Sequence, residues 1–167
     1  METKKKILLV DDDVDIIAVV ETILENDGYE VITACNKTEG LDKAKSEKPD
    51  VAIVDVMMTT HYEGFELAET FVKNAQFKGM PVLMQTSIEI FESNDDDVMK
   101  FAREYRANMI GKEMDVLLIQ DYKSNKAGID YRDKEGKFHW LSVNGFIRKP
   151  VNAKTLLNNV QRVLSQE

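Results

Sequence analysis

Cysteine, proline and positive charge are all scarce in this chain. Cys35 is the single cysteine of 167 residues, which excludes an intramolecular disulfide framework and fits a reducing cytoplasm best. With three prolines and eight glycines there is no low-complexity segment, and no internal repeat is visible. Lys and Arg number 22 against 30 Asp and Glu, a net charge of -8. A surface of that sign argues against general binding to nucleic acid or to an anionic membrane, both of which need basic patches. Long hydrophobic runs are missing too, since nothing approaches the ~20 apolar residues of a membrane span. The start, METKKKILLVDDD, has only four apolar residues after its lysines, too few for a secretory signal. Neither of the two histidines, His61 and His139, has a partner at metal-ligand spacing.

What is present is an ordinary globular composition, 43% hydrophobic and 31% charged. The length suits one domain, 1–167, with a full core. Short β-rich runs alternate with helical patterns. KKILLV (5–10) is a continuous apolar run, as a strand buried on both faces shows. From Val14 to Asn26 the apolar residues Ile16, Ile17, Val20, Ile23 and Leu24 recur at helical spacing, and Gly28 closes the helix. YEVITA (29–34) is a second strand, Lys37 to Glu47 a short helix stopped by Pro49, and DVAIVDV (50–56) a third strand. Gly64 to Gln76 reads as helix, PVLMQT (81–86) as the fourth strand and GFIRKP (145–150) as the fifth. Asn152 caps a last helix through about Leu164.

Strands alternating with helices of this length imply βαβ units and a parallel sheet covered on both faces, a flavodoxin-like doubly wound α/β fold. Ligands of such folds bind beyond the carboxyl ends of the strands. The residues there are Asp11, Asp12, Asp55, Thr86 and Lys149. The run ILLVDDDVD is costly on its own, because like charges ~4 Å apart repel by roughly 4 kcal/mol at an effective dielectric of 20. Acidic residues gathered at one sheet edge suit a hard divalent cation such as Mg²⁺, which takes carboxylates and phosphate oxygens. A hydroxyl and an ammonium opposite would hold the other oxygens of a phosphoryl group. Asp13 reads as the cap of the first helix.

The spacing from Thr86 to Lys149 is far longer than one helix and two loops need. Its first part is helical, with Val98, Phe101, Ala102, Tyr105 and Met109 on one face, Ser93 or Asn94 as cap, and Asp95, Asp96 and Asp97 favouring the N-terminus through the dipole. DVLLIQ (115–120) fits strand or helix. IDYRDKEGKFHWL (129–141) reads as a hairpin, in which Phe138 and Trp140 are expected to pack the insertion onto the domain.

Four stretches, ILLVDDD, PDVAIVDVMM followed by EGFEL, PVLMQTS and FIRKPV, resemble a response regulator receiver domain over most of the chain. That resemblance implies a five-stranded parallel sheet of order 2-1-3-4-5, with an insertion of about 112–143 between strands 4 and 5. It implies Asp55 as phosphoacceptor, and Mg²⁺ held by Asp11, Asp12, Asp55 and the backbone carbonyl of Met57. Thr86 would bind a phosphoryl oxygen, Lys149 would pair with the phosphoryl group, and Phe146 would be the aromatic switch beside Thr86. The implied partners are a histidine kinase or histidine phosphotransfer protein and a downstream protein target, with a homodimer compatible. Self-phosphorylation and self-dephosphorylation would be the only chemistry, so the chain is not expected to be an enzyme on other substrates.

The sequence departs from the family pattern at Thr59, where most receivers have Pro, and in a loop to Gly64 that carries Glu63. It also ends at Glu167 without an output segment, so direct control of transcription is not expected. Met57 and Ile88 stand two residues after Asp55 and Thr86, where receivers flank the attacking water, and their apolar bulk implies slow self-dephosphorylation. A haloacid dehalogenase type of Mg²⁺ phosphatase is the main rival, since Asp11-Asp12-Asp13-Val14 fits its first motif. It would need acidic ligands after Lys149 and would leave Asp55 idle. An EF-hand fails at Ile16 and Thr22, which stand where Gly and Glu are required. A constitutive docking module would not need the full set of site residues.

Overall fold

Lys6–Val10 forms the first strand (β1) of a computed structural model that describes residues 3–58, 62–108 and 114–165. Helix α1 (Val14–Asn26) starts where Asp13 accepts the amides of Asp15 and Ile16, and its chain reverses through Gly28 at a φ of +94°. Strand β2 (Glu30–Ala34), helix α2 (Lys37–Glu47) and strand β3 (Val51–Asp55) follow. Asn36 caps α2 by accepting the Glu39 amide. Helix α3 (Glu63–Lys73) ends earlier than the periodicity implies, because Asn74 turns the chain into a short 3-10 turn at Ala75–Phe77 before strand β4 (Val82–Thr86).

The remaining elements are β5 (Ile90–Glu92), α4 (Val98–Ala107), β6 (Val116–Asp121), β7 (Lys126–Arg132), β8 (Phe138–Val143), β9 (Phe146–Arg148) and α5 (Ala153–Ser165). They divide the chain into two compact units, one reaching to Ser87 and resuming at Ile147, the other spanning Ile88–Phe146.

The first unit carries a five-stranded sheet of order β2-β1-β3-β4-β9, with β9 as the fifth strand of the expected 2-1-3-4-5 order. Pairings are parallel, with Val10 beside Val54 and Asp55 beside Gln85. Apart from Lys6 at the start of β1 and Asp55 at the end of β3, both strands are apolar because both faces are covered. On one side Ile7, Leu9, Ile53 and Leu83 pack with Val20 and Leu24 of α1 and with Leu156, Val160 and Val163 of α5. On the other, Gly40 of α2 sits so close to Val10 and Leu67 that a β-carbon would stand 3.1 Å from each.

The second unit is a four-stranded sheet of order β5-β6-β7-β8, antiparallel except for β5 with β6. Helix α4 lies on one face, where Val98 and Ala102 meet Leu117 and Ile119, with Phe91, Phe101, Tyr105 and Trp140 around them. Arg106 ties the helix to the sheet through a half-buried ion pair with Asp130 and a bond to the Met114 carbonyl. Asp133 holds the β7–β8 turn by accepting the amides of Glu135 and Lys137.

These findings adjust several expectations. DVLLIQ is a strand, the hairpin is present, and β5 had no legible pattern in the sequence. Asp97, not Ser93 or Asn94, caps α4 by accepting the Lys100 amide. Trp140 packs inside its own unit, over Gly128, whose β-carbon would lie 2.2 Å from the indole. Phe138 is exposed beneath the guanidinium of Arg106, 4.5 Å from its ring centre. The compact unit is wider than the expected 112–143 segment of a single domain 1–167, because α4 buries its apolar face against β6 and β7. Thr59, His61, Met109 and the expected start of the insertion at 112 lie outside the described residues.

Candidate functional site

The parallel register carries β1, β3 and β4 to a common edge, and each strand ends there on a polar residue. Asp11 follows β1 and its amide binds the Ala34 carbonyl; Asp55 closes β3; Thr86 closes β4. Beyond β9, the Lys149 amide donates to the Thr86 carbonyl at 2.8 Å, which sets Lys149 beside the end of β4. Asp11, Asp55 and Thr86 are all buried, Asp12 is exposed, and Phe146 at the start of β9 is buried.

The Lys149 ammonium bridges the acids, 2.9 Å from Asp55 Oδ1 and 3.1 Å from Asp11 Oδ2. The Met57 amide donates to the same Asp55 Oδ1 at 3.3 Å. Both donors act on one oxygen of the Asp55 carboxylate. Burial pushes the Asp55 carboxyl up to about 6 and the Asp11 charge adds to that, while Lys149 and the Met57 amide pull it down. Burial alone would lower the Lys149 ammonium, but its bond to Asp55 and the charges of Asp55 and Asp11 hold it above its ordinary value.

Two buried carboxylates share one ammonium, so the edge carries excess negative charge, increased by Asp12. One oxygen each from Asp11, Asp12 and Asp55 lies within 4.8 Å of the others, the single such acidic group among the described residues. All the donors are hard oxygens, the set that Mg²⁺ takes. The residues therefore fit the ion that the sequence implies. Asp13 is not among them; its carboxylate caps α1.

One buried residue at this edge was not anticipated. Gln85, adjacent to Thr86, is fully buried and its Nε2 donates to Asp11 Oδ2 at 3.2 Å. Its Oε1 meets no partner among the described residues, a burial that costs on the order of 1–3 kcal/mol. The visible signal was an amide closing the otherwise apolar run VLMQ before Thr86.

A family model for the response regulator receiver domain matches residues 7–122. The match stops short of Phe146, at the start of β9, and of Lys149, just beyond it. Among curated proteins, the alkaline phosphatase synthesis transcriptional regulatory protein PhoP of Bacillus subtilis is 41% identical over 83 residues, 50% of this chain and 33% of that protein. Protein PilH of Pseudomonas aeruginosa is 33% identical over 82 residues, 49% of this chain and 67% of PilH. The aligned part thus spans about one third of the first of these relatives. Among solved structures, the chemotaxis protein CheY4 of Vibrio cholerae superposes with a TM-score of 0.62 at 29% identity, covering 96% of this chain and 99% of that one. A CheY-like receiver domain protein of Methanospirillum hungatei gives 0.61 at 27% identity, covering 98% and 96%.

Proposed function

Because the chain belongs to the response regulator receiver family, we propose that Asp55 takes the phosphoryl group from a phosphohistidine of a histidine kinase or phosphotransfer protein. The observation that carries this reading is the Lys149 ammonium held between Asp55 and Asp11 at 2.9 and 3.1 Å beside a third carboxylate. Asp55 Oδ2 attacks phosphorus, an O–P bond forms, the N–P bond of the donor breaks, and its electron pair leaves on the imidazole nitrogen. Lys149, already at the edge, pairs with one oxygen of the arriving group, and the Thr86 hydroxyl donates to another. Asp11, Asp12, Asp55 and the Met57 carbonyl would hold a Mg²⁺ ion, which would supply positive charge against the phosphoryl oxygens. No other substrate is turned over; the chemistry ends with hydrolysis of the aspartyl phosphate.

The phosphorylated state then favours one arrangement of Thr86 and Phe146, and a downstream protein that prefers it binds. Beside Lys149 an apolar groove of about 260 Å³ is lined by Ile16, Val19, Val20, Pro150 and Val151, with Val19 exposed. Such a groove next to the acceptor supports docking of a protein phosphodonor. None of the described helices is long and apolar enough to cross a membrane.

Incubation with Mg²⁺ and a small phosphodonor, read by intact mass, tests the reading. The chain should gain one phosphoryl group, and Asp55→Asn should gain none. If Asp11→Asn instead abolished turnover of a phosphomonoester while Asp55→Asn did not, the phosphatase reading would replace it.

A further inference from the structure

Gln85 takes no part in the transfer described above, yet it is fully buried at the edge where transfer occurs. Its Cα partner is Asp55 on β3, and its amide reaches across to Asp11 on the far side of that strand. Asp11 is held from both ends. Oδ1 accepts the Asp13 amide at 2.9 Å, and Oδ2 accepts Gln85 Nε2 at 3.2 Å and the Lys149 ammonium at 3.1 Å. The amide orientation follows from charge, because the reversed amide would set its oxygen against a carboxylate oxygen.

The fold has no use of its own for this amide. Val82, Leu83 and Met84 fill β4 up to Gln85 with apolar side chains, and a methionine would occupy the Gln85 site without stranding an acceptor. What a glutamine adds is the grip on Asp11. Buried polar groups that the fold does not satisfy fully are found where function requires them. Partners that orient a metal-binding carboxylate set metal affinity nearly as strongly as the ligands themselves.

We propose that Gln85 is a positioning residue for the divalent cation site, orienting the Asp11 carboxylate toward the ion with its side-chain amide bonded to Asp11 and not to Asp55. This rests on the reading of Asp11, Asp12 and Asp55 as the Mg²⁺ ligands. Lys149 also grips Asp11 Oδ2, but it is recruited by the phosphoryl group; Gln85 keeps Asp11 in place when Lys149 turns away.

Calorimetric titration of the full chain with Mg²⁺, for wild type and Gln85→Met, tests it, together with thermal unfolding in chelator. Gln85→Met should bind Mg²⁺ about tenfold or more weakly, with an unchanged or higher Tm in chelator. Phosphorylation by a small donor should then need more Mg²⁺ but reach the wild-type rate at saturation. Unchanged Mg²⁺ affinity in Gln85→Met overturns the proposal and leaves the Mg²⁺ reading intact. A lower Tm in chelator, or failure of both Gln85→Met and Gln85→Leu to fold, assigns the amide to stability and also overturns it. A wild-type chain that takes up no Mg²⁺ overturns the metal reading and the proposal together.

Discussion

Asp55 sits where burial and a neighbouring carboxylate both oppose its charge, so its titration is tied to stability. The folded chain keeps its proton up to about pH 6, whereas an ordinary aspartate releases it near 3.8. Between those values the folded state binds more protons than the unfolded one. Stability of the metal-free protein therefore falls as pH rises through that window, and the full penalty stands above it. Asp55→Asn should be more stable than wild type at pH 8 in chelator by about 1–3 kcal/mol, the loss of one Lys149 partner offsetting part of the gain. The advantage should close as the pH falls below 3.8. Thermal unfolding at both pH values checks this, and equal stability at pH 8 would count against a strained acidic cluster. Met57, partly exposed beside Asp55, and Ile88 stand at the positions from which the sequence predicts a long phosphoryl lifetime. Apolar side chains at those positions orient water poorly, so the purified phosphoprotein should persist for minutes or longer; a half-life of seconds would contradict this.

At the scale of elements, the site depends on how α3 approaches β3. A β-carbon on Gly64 would lie 2.2 Å from the Asp55 carbonyl oxygen and 2.5 Å from that of Val56. Both are backbone atoms of the strand end and cannot swing aside. Gly64→Ala must push the start of α3 away from the acceptor, at a cost of about 2–3 kcal/mol by analogy with overpacked cores. Denaturant unfolding should show that loss, and phosphorylation by a small donor should slow; a variant with wild-type values in both would show that α3 shifts freely. The same reasoning explains what was legible. Strands β1, β3 and β4 announce themselves as apolar runs, and Asp13 and Asn152 as caps, because these are local facts. Strand β5, three residues long, and the cap of α4 were not legible. A short edge strand has no period of its own, and Ser93, Asn94, Asp95 and Asp97 are all competent caps until the sheet sets where the helix starts.

The chain forms two compact units, with the second entered after β4 and left at the first residue of β9, the fifth strand of the parallel sheet. Removing only 112–143 would take Leu117, Ile119 and Trp140 from beneath α4 and leave Val98 and Ala102 uncovered. That deletion should misfold. Replacing 88–145 with a crossover helix of about 15 residues respects the boundary, since parallel strands need a connection of a dozen residues or more. The replaced chain should still accept a phosphoryl group at Asp55 and lose binding of the downstream partner. Loss of phosphorylation itself would show that the second unit serves the site directly.

The ends of the parallel strands, the caps at Asp13 and Asn152 and the residue chemistry were determined by sequence alone: Asp11, Asp12, Asp55, Thr86 and Lys149 close or follow apolar runs, and a parallel sheet has one edge where such ends meet. The tertiary structure alone decided that α4 starts behind Asp97 and belongs to the second unit, and that Gln85 grips Asp11 from 74 positions away. Each of those outcomes depends on a partner distant in the chain or on competition between near-equal local choices, and packing resolves both.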